Sequence, residues 1–172
     1  GSNLSGQVGD GSLIEQIAPI QVVDLASGVA QVTVGYEHSC ARTLDGALVC
    51  WGGNDYGQLG NASNARSLTP VLVQGLTSGA LDVEAGGFTT CGVSSAGAAL
   101  CWGYGFNGQL GNGGFDSVPE PVRLNHAHAW SHVVAGSTHC VALSITDGSV
   151  WIWGGGDAGQ IGDGRFAATP SP

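Results

Sequence analysis

Short runs of the chain alternate hydrophobic and polar residues with a period of two. From Val29 to Val34, Ala30, Val32 and Val34 fall on one side and Gln31 and Thr33 on the other. Fifty-one residues later, Leu81, Val83 and Ala85 oppose Asp82 and Glu84 in the same way. This pattern predicts a half-buried β-strand with its apolar side turned to a core. A glycine follows each such run (Gly35, Gly86, Gly136), then a second short strand around Cys40 or Cys91. Asp45-Gly46 predicts a hairpin turn, with Gly97 and Asp147-Gly148 at the corresponding turns. A third strand runs into a Trp-Gly pair. A Gly-Gln-Leu-Gly loop comes next, and then a Pro-led strand such as Val71-Leu72-Val73. No stretch carries the 3.6-residue period of an amphipathic helix.

The same order of elements recurs. The tetrad Gly-Gln-aliphatic-Gly occurs at Gly6-Gln7-Val8-Gly9, Gly57-Gln58-Leu59-Gly60, Gly108-Gln109-Leu110-Gly111 and Gly159-Gln160-Ile161-Gly162, always 51 residues apart. Trp51, Trp102 and Trp153 keep that offset, as do Pro19, Pro70, Pro121 and Pro172. Three registers with one shared period define an internal repeat. About four short antiparallel strands per 51 residues is the size of one β-propeller blade. A sandwich needs no strict period, and a β-helix has a much shorter one. The expected fold is therefore all-β, a partial propeller of about three blades filling residues 1–172. The repeat units are 6–56, 57–107 and 108–158; residues 159–172 begin a further repeat and 1–5 end an earlier one. The periodic Trp, Gly and Gln residues are expected to serve structure, because a residue tied to the period is tied to packing.

The stretch from Gly35 to Asn61 contains Gly-x-x-His-Ser-Cys, then Trp51-Gly52, then Gly57-Gln58-Leu59-Gly60. This combination resembles the repeats of the regulator of chromosome condensation family, in a cysteine-paired, secreted variety. The resemblance covers the whole chain. It implies blades of a seven-bladed propeller that presents loops to a partner. It does not specify a function: family members include a nuclear guanine-nucleotide exchange factor, a plant ultraviolet sensor, segments of ubiquitin ligases and secreted bacterial inhibitors. The ultraviolet sensor's Trp cluster with nearby Arg has no counterpart in a chain with four Arg and no Trp-Arg run.

Gly1 lies 51 residues before Gly52, so the chain begins and stops inside a repeat. About three blades alone leave sheet edges and a hydrophobic flank open. Two expectations follow: the remaining blades lie outside this chain, or copies assemble to cover the open faces.

Cys40 and Cys50 flank the Asp45-Gly46 turn symmetrically, and Cys91 and Cys101 repeat the arrangement about Ala96. Residues facing each other across a hairpin come within reach of a disulfide, so two disulfides are expected. Two pairs of buried thiols, or a zinc site, are the alternatives. Cys140 has no local partner, because Ile152 precedes Trp153 and this hairpin reads two residues longer. It is expected to be a buried free thiol or an intermolecular one. Disulfides at this density point to an oxidising, extracellular or cell-surface setting.

Thirteen acidic residues against four Arg and no Lys give a net charge of −9. That balance argues against binding nucleic acid or an anionic membrane, and no apolar run is long enough to span a bilayer. Glycine, 31 of 172 residues, suits turns rather than helices. His126, His128 and His132 share one face of an extended strand, a weak metal candidate beside the plainer reading of a variable connection. The Asp-Gly pairs at Asp10, Asp163 and near Asp116 read as turns rather than calcium loops. Asn3 and Asn61 fit the glycosylation sequon. Trp130 and Trp151 lie off the period, as core residues or as an exposed binding anchor.

No nucleophile motif, phosphate loop or cofactor fingerprint occurs. The expected function is a non-enzymatic protein-interaction scaffold, with the variable loops Asn61 to Thr69 and Gly113 to Pro119 meeting a protein partner. A self-assembling structural subunit is the first alternative and an exchange-factor-like regulator the second.

Overall fold

The computed structural model describes residues 1–172 as three antiparallel sheets and no helix. The first sheet holds β1 (Val29–Val34), β2 (His38–Thr43), β3 (Leu48–Gly52) and β4 (Ser67–Leu72). The second holds β5 (Asp82–Ala85), β6 (Thr89–Val93), β7 (Ala99–Gly103) and β8 (Val118–Arg123). The third holds β9 (Trp130–Ala135), β10 (His139–Ser144) and β11 (Val150–Gly154), with a single bridge from Gly154 to Thr169 where a fourth strand stands in the others. The sheets stack as blades, with β5 against β1 and β2, and β9 against β5 and β6.

Two buried clusters lie between the blades. One joins Cys40, Leu48 and Cys50 of the first blade to Val83 and Trp102 of the second, through Leu59, Val73, Leu76 and Ala80. The other joins Cys91, Val93, Ala99 and Cys101 to Val133, Cys140 and Trp153, through Leu110 and Leu124. The core is thus a series of seams, each shared by neighbouring repeats.

The apolar side of an inner strand packs backward onto the preceding blade, and its polar side faces forward. Val83 and Val133 are fully buried in this way. The expectation that Ala30, Val32 and Val34 turn to a core is therefore corrected. Among residues 1–172 no sheet stands behind β1, and Val32 and Val34 are 70% and 71% exposed. The polar residues Gln31 and Thr33 are the ones that pack on the next blade.

The expected Pro-led fourth strand is also corrected. Pro70 lies inside β4, and Pro119 and Pro121 lie inside β8. Both are edge strands, and both ladders are irregular at the prolines: the pairs next to the break are Cys50–Val71 and Gly52–Ser67, and Cys101–Val122 and Gly103–Val118. A residue without an N–H is tolerated there.

Candidate functional site

In an antiparallel blade, the first and third connections leave the sheet at the same end. Residues 35–37, 53–66, 86–88 and 104–117 therefore share one face of the stack. Five aromatic rings run across that face in continuous contact. Tyr36 meets Phe88 edge-on at 5.5 Å, Phe88 meets Tyr56 at 5.3 Å, Tyr56 meets Tyr104 at 4.9 Å, and Tyr104 meets Phe106 at 5.1 Å. Both ends are open to solvent, Tyr36 at 64% and Phe106 at 57%. The Tyr36 hydroxyl donates to Ser137 Oγ, carrying the belt onto the third blade. Beside it Ser5, Glu37, Gly53, Asp55 and Arg66 line a wholly polar hollow. Sequence reasoning missed this belt. Its one signal was an aromatic residue placed next to a repeated glycine in successive periods.

The loops under the belt are rigid for reasons the repeat explains. Trp102 Nε1 donates to the carbonyl oxygen of Gln58, and Trp153 Nε1 to that of Gln109. Trp51 does the same to Gln7. Three of the four Gly-Gln-aliphatic-Gly loops are therefore clamped by a Trp 44 residues further on, in the blade that follows the loop. Gly60 and Gly111 let the backbone pass under the indole, with φ of +69° and +66°. Gly159, Gln160 and Gly162 form the same turn with no Trp above them.

Buried Asn54 organises the loop after β3. Its Oδ1 accepts from Leu59 N, and its Nδ2 donates to the carbonyls of Ser63 and Ala65. Asn3 repeats this at the start of the chain, fully buried, donating to Ser12 and Ile14. Asn3 therefore lies buried within its loop although its sequence fits the sequon. Asn61 Oδ1 accepts from Asn54 within the same loop.

Along the inner strands a polar ladder crosses the blades. Gln31 Nε2 donates to Asp82 Oδ1 at 2.8 Å, and His132 Nδ1 lies 2.6 Å from Asp82 Oδ2. Glu84 accepts from Thr33, and burial raises its carboxyl above the ordinary range. The three-histidine grouping is corrected here. His132 belongs to the Asp82 ladder. His126 and His128 belong to the opposite face, with ring centres 4.5 Å apart and packed on Trp151 and Trp130. A metal set near His132 would draw on Asp82 and Glu84 instead, and those carboxylates are engaged by Gln31, Thr33 and Val133 N. Trp130 is buried and Trp151 half-buried, so neither is an exposed anchor.

Disulfides join Cys40 to Cys50 and Cys91 to Cys101, each across a hairpin with Cα atoms 4.1 Å apart. Cys140 is free and buried. Its strand register differs from the sequence reading. Val141 pairs with Ile152 where the other blades carry their disulfide, so the hairpin is one residue longer rather than two. Cys140 instead stands opposite Trp153, as Ser39 stands opposite Trp51 and Thr90 opposite Trp102. Burial pushes its thiol up to about 12. No helix in the chain is long and apolar enough to cross a membrane.

The regulator of chromosome condensation (RCC1) repeat matches residues 45–93 and 96–143, and a second form of that repeat matches 29–58. The human E3 ubiquitin-protein ligase HERC2 is 32% identical over 93% of the chain, and the ultraviolet-B receptor UVR8 of Arabidopsis thaliana is 32% identical over all of it. The chain spans 3% of the ligase and 40% of the receptor. Among solved structures, human WBSCR16 superposes with a TM-score of 0.85 at 25% identity, over 99% of this chain and 44% of that one. Prp20p of Saccharomyces cerevisiae, described with its binding to Gsp1p and histones, superposes with a TM-score of 0.72 at 26% identity, over 84% of this chain and 37% of that one.

Proposed function

The chain belongs to the RCC1 repeat family, and on that premise we propose that it is a non-enzymatic scaffold whose loop face docks a protein partner. The observation that carries this reading is the belt from Tyr36 to Phe106. Aromatic rings held in mutual contact lose little freedom on binding and offer large apolar area, which is how interface anchors work. The Trp-clamped loops hold them on a rigid base. The loops 61–66 and 113–117 rise from the same face and differ in sequence, the layout of a constant scaffold with variable contacts. A net charge of −9, with Glu37 and Asp55 beside the belt, favours a partner with cationic patches around an apolar centre. The protein partners described for yeast Prp20p support a binding role of this kind.

Two disulfides support an extracellular or cell-surface setting. They also favour the scaffold over an exchange factor working in a reducing compartment.

The test is selection of displayed peptides on the immobilised chain. Bound sequences should be rich in Arg or Lys around an aliphatic or aromatic centre. They should lose at least about tenfold in affinity for a Tyr36→Ala/Phe106→Ala variant, the weight of roughly one hot-spot residue. Selection of no sequence, or equal binding by the variant, overturns the proposal.

A further inference from the structure

On the face opposite the belt, the connection from β8 to β9 departs from the repeat. At the rim of the first seam the corresponding stretch, Gly75 to Ala80, carries no titratable residue, and Leu100 stands where the third blade has Trp151. At the rim of the second seam the connection carries His126 and His128. Their rings come together with centres 4.5 Å apart. Both pack on indoles: His126 lies 4.4 Å from Trp151, and His128 lies 5.1 Å from Trp151 and 5.7 Å from Trp130. Trp130 is part of the second seam and Trp151 packs against it. The histidines therefore lie where two sheets of this chain meet, and neither end of the stack contributes to the site.

His128 is supported from behind. Its Nδ1 lies 3.1 Å from the buried Oγ of Ser144. That oxygen accepts from Thr146 N, and its hydroxyl donates to Asp147. Hydrogen bonds from Ser149, then from Ser144, hold the Asp147 carboxyl down at about 2, so it is ionised. With its one hydrogen given to Asp147, Ser144 accepts from His128. Nδ1 of His128 then carries the hydrogen, and Nε2 keeps the free lone pair. A hydroxyl and a carboxylate behind the ring fix the tautomer and raise the basicity of a metal-binding histidine. His126 Nδ1 accepts from His128 N over a long 3.4 Å, so an ion displaces little by taking that lone pair. Two imidazoles on one ion, with metal–nitrogen distances of about 2.0–2.1 Å, have ring centres about 4.5–5 Å apart. The 4.5 Å between His126 and His128 falls in that range.

We infer that His126 and His128 bind one divalent transition-metal ion at the rim of the second seam, with water completing its coordination. His132 takes no part, since it stands on the Asp82 ladder. Imidazole nitrogen suits copper, nickel and zinc, and copper binds tightest to a given donor set. The indoles hold both rings in place before the ion arrives, so little side-chain freedom is lost on binding. The Asp147 carboxylate and the net charge of −9 favour a cation there.

Titration of the chain with Cu²⁺ tests this, read by tryptophan fluorescence and by electron paramagnetic resonance. The Gly1 amine is acetylated beforehand, because a free amine is itself a copper ligand. One equivalent should quench Trp151, 4.4 Å from His126, and the resonance should show two nitrogen ligands. Ni²⁺ and Zn²⁺ should compete more weakly. His126→Asn/His128→Asn should abolish the binding, Ser144→Ala should weaken it at least about tenfold, and His132→Asn should leave it unchanged. Both histidines are only half-buried, so the double variant should keep the wild-type circular dichroism. The nitrogen count on the wild type is independent of how any variant folds. No saturable binding at micromolar ion, fewer than two nitrogens, or equal binding by the double variant overturns the inference. Loss of binding in His132→Asn, which would move the ion to Asp82 and Glu84, overturns it too.

Discussion

The sulfur of Cys140 lies 3.9 Å from that of Cys91, although Cys91 is already bonded to Cys101. The contact spans two blades: Cys91 faces forward from the second, and Cys140 faces backward from the third. A free thiol thus sits against a disulfide in a fully buried seam. Thiol–disulfide exchange needs the thiolate, and burial holds this thiol at about 12. The native seam therefore keeps its pairing.

Titration of unreduced protein should give no reactive thiol in the native state and one after denaturation in an acid-quenched sample. Reduction should raise the count to five. Five without reduction would remove the disulfides. If denaturation is carried out at alkaline pH, mass spectrometry of tryptic fragments should show Cys140 joined to Cys91 or Cys101.

Replacing Cys40 and Cys50 together by Ala should lower stability by about 2.5–3 kcal/mol, the chain entropy released from a loop of this length. Urea unfolding followed by Trp fluorescence measures it. The same change at Cys91 and Cys101 should cost about as much, because both pairs close loops of equal length and both are fully buried in a seam.

Gly60→Ala and Gly162→Ala alter the same position of the repeat and should differ. At Gly60 a Cβ would stand 2.6 Å from Trp102 Nε1, on a backbone with φ +69°. At Gly162 φ is +77° and nothing lies within 4 Å. Left-handed backbone alone costs an alanine about 1–2 kcal/mol. The Gly60 variant should lose about 2–5 kcal/mol once the indole is displaced. Equal losses in urea melts would mean that Trp102 does not clamp the loop.

His38 sets a pH dependence. It is buried with Nε2 against Thr90 Oγ1, and burial lowers it from 6.5 to about 4. The unfolded chain then binds a proton below pH 6.5 that the folded chain refuses. Its contribution is complete above about pH 6.5 and is lost as pH falls towards 4, by about 3 kcal/mol in all. Denaturation midpoints of wild type and His38→Gln across this range should converge at acid pH, with the flatter slope in the variant.

The blade was legible in the sequence because its parts are local. Alternation within six residues specifies a strand, Asp45-Gly46 specifies a turn, and ten residues between Cys40 and Cys50 specify a cross-hairpin pair. The period of 51 made it clear that the unit recurs. The Cys140 register is not legible in the sequence, because the cysteine suggests one pairing of the third hairpin while Gly136 and Trp153, which the fold follows, set another.

Sequence alone determined that this chain is a stack of alike β-sheets with two stapled hairpins, since bonding within a hairpin depends only on neighbours along the chain. Tertiary structure decided what lies between the sheets. A period of two states that a strand has two faces and leaves open which neighbour covers each. Hence Val32 is exposed where Val83 is buried, and Trp51, Trp102 and Trp153 each clamp the loop that precedes their own blade. His132 reaches Asp82 rather than His126, and five rings from separate loops meet on one face. These relationships depend on the angle and spacing at which one blade stacks on the next, a quantity that no single repeat contains.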